Sequence, residues 1–173
     1  MALTYTAIAT VTVGSGGASS ITFSSIPQSY TDLLVKLSTR SNQASGPDYV
    51  YLQFNSNTST SNYQGIFLRG NGSTVASSSN TTEGKIRAAI TTTSGETTST
   101  FSNCEIYIPN YTSSNNKSTS SDWVPENNAT ATFMGITAGL WTQTSAITSM
   151  QLSLSSGSFV QHSTAYLFGI RKD

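Results

Sequence analysis

Charge is what this chain has least of. Eight basic and eight acidic residues make up 9% of 173 positions and cancel to a formal net charge of zero. Nucleic-acid backbones are held by concentrated basic surface, whereas the cations here, from Lys36 to Lys172, are scattered. No nucleic-acid partner is therefore expected. A single cysteine, Cys104, excludes an intrachain disulfide, so stability has to come from packing or assembly. No apolar run approaches the roughly 18 residues that span a bilayer, which predicts no membrane partner. Met1-Ala2-Leu3-Thr4 lacks the charged and long apolar regions of a signal peptide, so a soluble product folded inside a cell is expected. Helical periodicity is missing as well: no segment holds it for three turns.

Serine and threonine take the place of charge, filling about a third of the chain. A coat of neutral hydroxyls and amides suits self-association, because docking it strips few charges of water. The clearest single element is Tyr30–Arg40, YTDLLVKLSTR. Leu33, Val35, Leu37 and Thr39 fall on one side of an extended backbone, and Leu34, Lys36, Ser38 and Arg40 on the other. Ser20-Ile-Thr-Phe-Ser ahead of it and Ser163–Lys172 at the end read as two further strands, all three central in a sandwich. Tyr5–Val13, Asp48–Asn55, Tyr63–Arg69, Lys85–Thr91, Ser99–Pro109, Ala129–Thr137 and Ile147–Leu154 complete about ten short strands, the last running from Phe159. Ala138-Gly-Leu-Trp141 reads as the start of a turn. Met1–Gly17 is an N-terminal arm or first strand; the polar stretch Gly70–Gly84 reads as a long surface loop or a segment that orders only against a neighbour, and Asn110–Asn128 as a second long surface loop. Short strands at this spacing predict one all-β domain over residues 1–173, an antiparallel β-sandwich of the jelly-roll kind.

Reactive side chains are few. His162 is the one histidine, and neither a base nor a metal centre is built from a lone imidazole without partners. Cys104 alternates with Ile106 and reads as a small buried hydrophobe. A glycosidase needs two carboxylates roughly 5–10 Å apart. Asp122 and Glu126 share a predicted loop, but nothing local selects them as such a pair. Gly14-Ser-Gly-Gly17 lacks the helix and lysine of a phosphate cradle. Tyr49, Tyr51, Tyr63, Trp123 and Trp141 are candidates for stacking on sugars, with core or interface packing as the plainer reading. The expectation is a protein that is not an enzyme and carries no cofactor or metal.

Three segments together resemble a known group. They are SSITFSSIPQSYTDLLVKLSTRSN at Ser19–Asn42, VYLQFNSNTSTSNYQGIFLRGNGS at Val50–Ser73, and the stretch Cys104–Ile170 with its IPNY, PENNATA, AGLW and STAYLFGI pieces. The chain resembles the short all-β virion proteins of tailed bacteriophages, common in marine and cyanobacterial phages. What the resemblance implies is a capsid cement or decoration protein, made in the host cytoplasm and carried on the virion. Its partners would be the major capsid protein and itself, as a homotrimer over a lattice axis. A tail or head-fibre tip that recognises host glycan is the alternative it leaves open. Trp123, Trp141 and Tyr111 are the candidate interface residues, since binding energy concentrates in buried aromatics. Met1–Gly17, Gly70–Gly84 and Asn110–Asn128 are the candidate contact segments.

Overall fold

Period-two burial runs through most strands of the computed structural model, which describes residues 4–128 and 133–171. Among them are twelve strands: β1 (Tyr5–Thr12), β2 (Ser20–Phe23), β3 (Asp32–Thr39), β4 (Asp48–Phe54), β5 (Tyr63–Gly70), β6 (Val75–Asn80), β7 (Ile86–Thr91), β8 (Ser102–Ile108), β9 (Lys117–Val124), β10 (Met134–Trp141), β11 (Met150–Leu154) and β12 (Thr164–Ile170). They form an eight-stranded sheet, β1-β12-β3-β8-β9-β10-β5-β6, and a four-stranded sheet, β2-β11-β4-β7. The strand pairs within both sheets are antiparallel. The domain is an antiparallel β-sandwich, as the strand spacing predicts.

Its topology is that of a jelly roll with two additions. Only the hairpins β5–β6, β8–β9 and β9–β10 stay within one sheet; every other connection crosses to the opposite sheet. With the meander β8-β9-β10 counted as one strand, β3-meander-β5-β6 faces β2-β11-β4-β7, the arrangement of eight jelly-roll strands. An odd number of strands returns the chain in the direction that a single strand would, so the meander leaves every later pairing unchanged. β12 and β1 then extend the long sheet beyond β3.

The core lies between the sheets. β3 turns Leu33, Val35, Leu37 and Thr39 inward; β8 turns Cys104, Ile106 and Ile108 inward, and Val50, Leu52, Phe54, Ile86 and Leu152 meet them from the short sheet. Burial pushes the Cys104 thiol well above its ordinary pKa, which keeps it a neutral hydrophobe. Arg40 caps one end, donating through Nη1 to the carbonyls of Thr97 and Thr100 and through Nη2 to that of Glu96. No helix among the described residues is long and apolar enough to cross a membrane.

Several boundaries differ from the sequence reading, each for a physical reason. The segment Gly70–Gly84 is not one long loop: β6 runs through it, held by pairing with β5 rather than by an apolar face. The β5–β6 turn is closed by Asn71 Oδ1, which accepts from the amides of Ser73 and Thr74, with Gly72 at φ +85°. Asn110–Asn128 likewise contains β9, whose inward residues are Lys117, Thr119, Ser121 and Trp123. Three of those four are polar, so no hydrophobic alternation marks the strand. Ala138–Trp141 continues β10 instead of turning, because it pairs on both sides with β5 and β9. β2 is an edge strand rather than a central one. Residues 129–132 of the strand expected at Ala129–Thr137, and 1–3 of the arm, lie outside the described residues.

Alkaline pH tests this core. Burial pushes the Tyr63 hydroxyl up to about 12; it donates to the Phe54 carbonyl and accepts from the Phe54 amide. A group held protonated by folding contributes its full stability below its unfolded pKa near 10, and loses it as pH rises toward 12. The denaturant midpoint is thus expected to hold up to about pH 10 and fall beyond it. Tyr63→Phe should start about 1 kcal/mol lower from its lost hydrogen bonds and then fall less steeply. Parallel curves for the two proteins would refute the assignment.

Candidate functional site

The long sheet has a face turned away from the core, and antiparallel register lines its side chains up in rows across the strands. One row runs Thr10, Tyr166, Lys36, Glu105, Asp122, Ile136, Leu68, Ser77. The next runs Ala7, Phe168, Leu34, Tyr107, Ser120, Ala138, Ile66, Ser79. Read across, both are apolar or aromatic near β12 and again on β10 and β5, and polar or mixed between.

The middle strip is wet. Lys36 Nζ lies 2.9 Å from Glu105 Oε2 with both side chains about half exposed, a pair worth little in stability but costly to strip of water. The Glu105 contact raises the Lys36 pKa. Tyr107 donates to Asp32 Oδ2 at 2.8 Å, which pushes the tyrosine up to about 12.

On one side of this strip, exposed Tyr5 and Tyr166 flank Phe168 and Leu34. On the other, Ile66 and Leu68 of β5, Val75 of β6, and Met134 and Ile136 of β10 stand in solvent with 62, 38, 75, 61 and 52% of their surface exposed. No charged residue leaves this face of β5, β6 or β10, whose outward positions are Gln64, Ile66, Leu68, Gly70, Val75, Ser77, Ser79, Met134, Ile136, Ala138 and Leu140. Beside Ile66 the face dips into a shallow groove of about 400 Å³ over Gly65, Ala138 and Gly139.

The three residues singled out as interface candidates are elsewhere. Trp123 and Trp141 are 1% exposed and Tyr111 is 0% exposed, all within the core. Trp123 stacks on Phe67 at 5.2 Å, Trp141 packs on Phe54 at 5.5 Å, and the Tyr111 hydroxyl donates to the carbonyl of Pro27. Side chains with no accessible surface cannot anchor a partner, so these three are structural. Their size suits an interface and the sandwich interior equally. A readable sign of the real face is the run Ile66-Phe67-Leu68. Only Phe67 serves the core, which leaves two large aliphatic residues pointing the other way.

The remaining candidates separate too. His162 sits at φ +73° in the turn before β12, exposed, and not on a strand. Asp122 projects from β9 into the polar strip, whereas Glu126 lies beyond the strand and accepts from the Asn128 amide. Among the sugar-stacking candidates, Tyr63 is buried with the two tryptophans. Tyr49 and Tyr51 are half-buried under Arg87 and Lys85, at 4.1 and 5.5 Å from the ring centres. No group of three or more His, Cys, Asp or Glu that could hold a metal ion is found among the described residues. A cleft of about 460 Å³ opens at one end of the sandwich, where Pro47, Ile90, Pro125 and Phe133 meet Arg69 and Glu96. Set against protein-family models, curated proteins and solved structures, the chain gives no significant match.

Proposed function

We propose that this protein is a structural component of a tailed-bacteriophage virion, an accessory protein that binds the outer surface of the shell and holds neighbouring major capsid subunits together. The observation that carries the reading is the pair of apolar areas on one rigid sheet face, separated by a solvated strip. An accessory protein of this kind needs more than one contact surface on a stiff body, whether for the shell or for a neighbouring copy, and the jelly-roll sandwich is such a body. Its architecture is one that viral capsid domains use, and the sequence resemblance points the same way. A protein that binds only the assembled shell stabilises it by linkage, about 2.7 kcal/mol per site when its free concentration is a hundred times Kd.

Immunogold labelling of intact particles, and density in their reconstruction, test this directly. The protein is expected on the head exterior, and heads assembled without it should lose DNA at lower temperature. Mature particles devoid of it, or a signal confined to the tail, would remove the proposal. Tyr5→Asp with Tyr166→Asp is expected to cut head occupancy at least tenfold, since a buried unpaired charge costs more than about 1.4 kcal/mol. The second reading, a glycan-binding tip, draws on the end cleft, where the Phe133 ring, with Arg69 and Glu96 beside it, would suit the apolar face and hydroxyls of a sugar. Glycan-array binding lost in Phe133→Ala would favour it.

A further inference from the structure

We infer that the β5–β6–β10 area seats a second copy of this chain, in a twofold dimer packed through these three strands. The inference rests on reading the outer face as a contact surface and names the partner of one of its two areas.

Charge argues first for a like partner. A foreign protein is commonly selected by complementary charge; the three strands of this area offer none, the adjoining outward charge being Asp122 on β9, beside Ile136. Shape argues next. The tall side chains Met134, Ile136, Leu68 and Val75 crowd toward one end of the strands, and the groove over Ala138 and Gly139 lies toward the other. A twofold axis lying between the sheets and crossing the strands reverses the strand direction. It sets the tall end of each copy over the groove of the other, so one patch serves as both halves of the contact.

Area agrees. Five side chains, each leaving on the order of 100 Å² in water, give roughly 500 Å² of apolar surface per copy, toward the upper end of the largest patch on a typical monomer and of the size that is often functional. The pair would bury about 1,000 Å² in those side chains alone, and the surrounding Ser77, Ser79 and Gln64 add a polar rim that brings the contact into the range of specific interfaces. The flank of this area is also undefended. β6 is an edge strand with no lysine, proline or bulge, the devices that discourage association. The closed form is a dimer rather than the threefold assembly that the resemblance implies.

Sedimentation velocity and native mass of the full chain, across a concentration series, decide the matter. The expected species has twice the 18.3 kDa chain mass. Ile136→Lys and Ile66→Asp each introduce a charge at an exposed position, so both variants should stay folded and melt as the dilute wild-type monomer does, while weakening the dimer at least 100-fold. Mixing the two should restore pairing as a heterodimer. A monomer at tens of micromolar, a trimer, or a dimer indifferent to both substitutions would overturn the inference. A monomer that still decorates heads would overturn it while leaving the virion reading in place. A dimer never found on particles would do the reverse.

Discussion

Gly135→Ala is expected to destabilise the domain by about 3 kcal/mol or more, from overpacking a filled core. In a chain of this length that lowers Tm by on the order of 10 °C. Gly135 pairs with Trp123 across β10 and β9, and the indole lies flat over the glycine. A Cβ built there would stand 2.0 Å from Trp123 Cζ2, 2.5 Å from Cε2 and 2.6 Å from Cη2. Three ring atoms at those distances cannot all be cleared by a small rotation. The ring has nowhere to retreat either, because Phe67 stacks on it at 5.2 Å. Either the indole leaves its place or β10 separates from β9. The paired variant Gly135→Ala, Trp123→Phe should lose less than the sum of its parts, with a coupling of about 1 kcal/mol or more. Gly14→Ala is the control: nothing stands within 4 Å of the added methyl, and its change should stay within about 0.5 kcal/mol. Thermal melts that place Gly135→Ala beside Gly14→Ala would show that the indole does not pack where it is drawn.

Asp48→Ala is expected to cost about 3–5 kcal/mol, the scale of leaving several buried donors without their acceptor. Asp48 is fully buried at the start of β4. Its Oδ1 accepts from the Ser155 amide, the Ser155 hydroxyl and the Ser156 amide at 3.0, 2.6 and 3.0 Å. Its Oδ2 accepts from the Ser41 hydroxyl and the Gly157 amide at 2.6 and 2.9 Å. One carboxylate thereby ties the β11–β12 connection to the first residue of a strand a hundred positions earlier. Gly157 has to be glycine for this, since a Cβ would come within 2.3 Å of Ser41 Oγ and 2.8 Å of Asp48 Oδ2. Alanine leaves three backbone amides without an acceptor, each costing about 1–3 kcal/mol if water does not reach it. Asp48→Asn should fall between the two proteins. A hydroxyl can reverse and accept from the new amide group, but the Gly157 N–H cannot. Denaturant midpoints rank the three; an Asp48→Ala midpoint equal to wild type would refute the network.

The two substitutions separate what is written locally from what is not. β3 and β8 were legible because an inward residue differs from its neighbours in kind: Leu33, Val35 and Leu37 against Lys36 and Ser38, or Ile106 and Ile108 against Glu105. β9 escaped because its inward residues include Lys117, Thr119 and Ser121. Two of those polar side chains are satisfied by backbone carbonyls, some of them brought in from other parts of the chain. Ser121 Oγ donates to the Ala88 carbonyl, and the Lys117 ammonium donates to the carbonyls of Ser113, Asn115 and Gln143. Desolvation lowers the Lys117 pKa there, a fact no neighbour in sequence announces. β6 escaped for the opposite reason: from Val75 to Ser79 it has no buried face, so it has no pattern.

Composition and alternation alone determined an all-β sandwich with a neutral, hydroxyl-rich surface, because the period of a strand and the polarity of its two faces are local properties. Which aromatic residues lie inside was decided only by tertiary structure. Trp123 and Trp141 went to the core, and Ile66, Leu68, Met134 and Ile136 to solvent, because depth depends on which strands sit opposite in the other sheet. The long sheet has eight strands and the short sheet four, and its outer side is covered by neither. No window of sequence contains that mismatch.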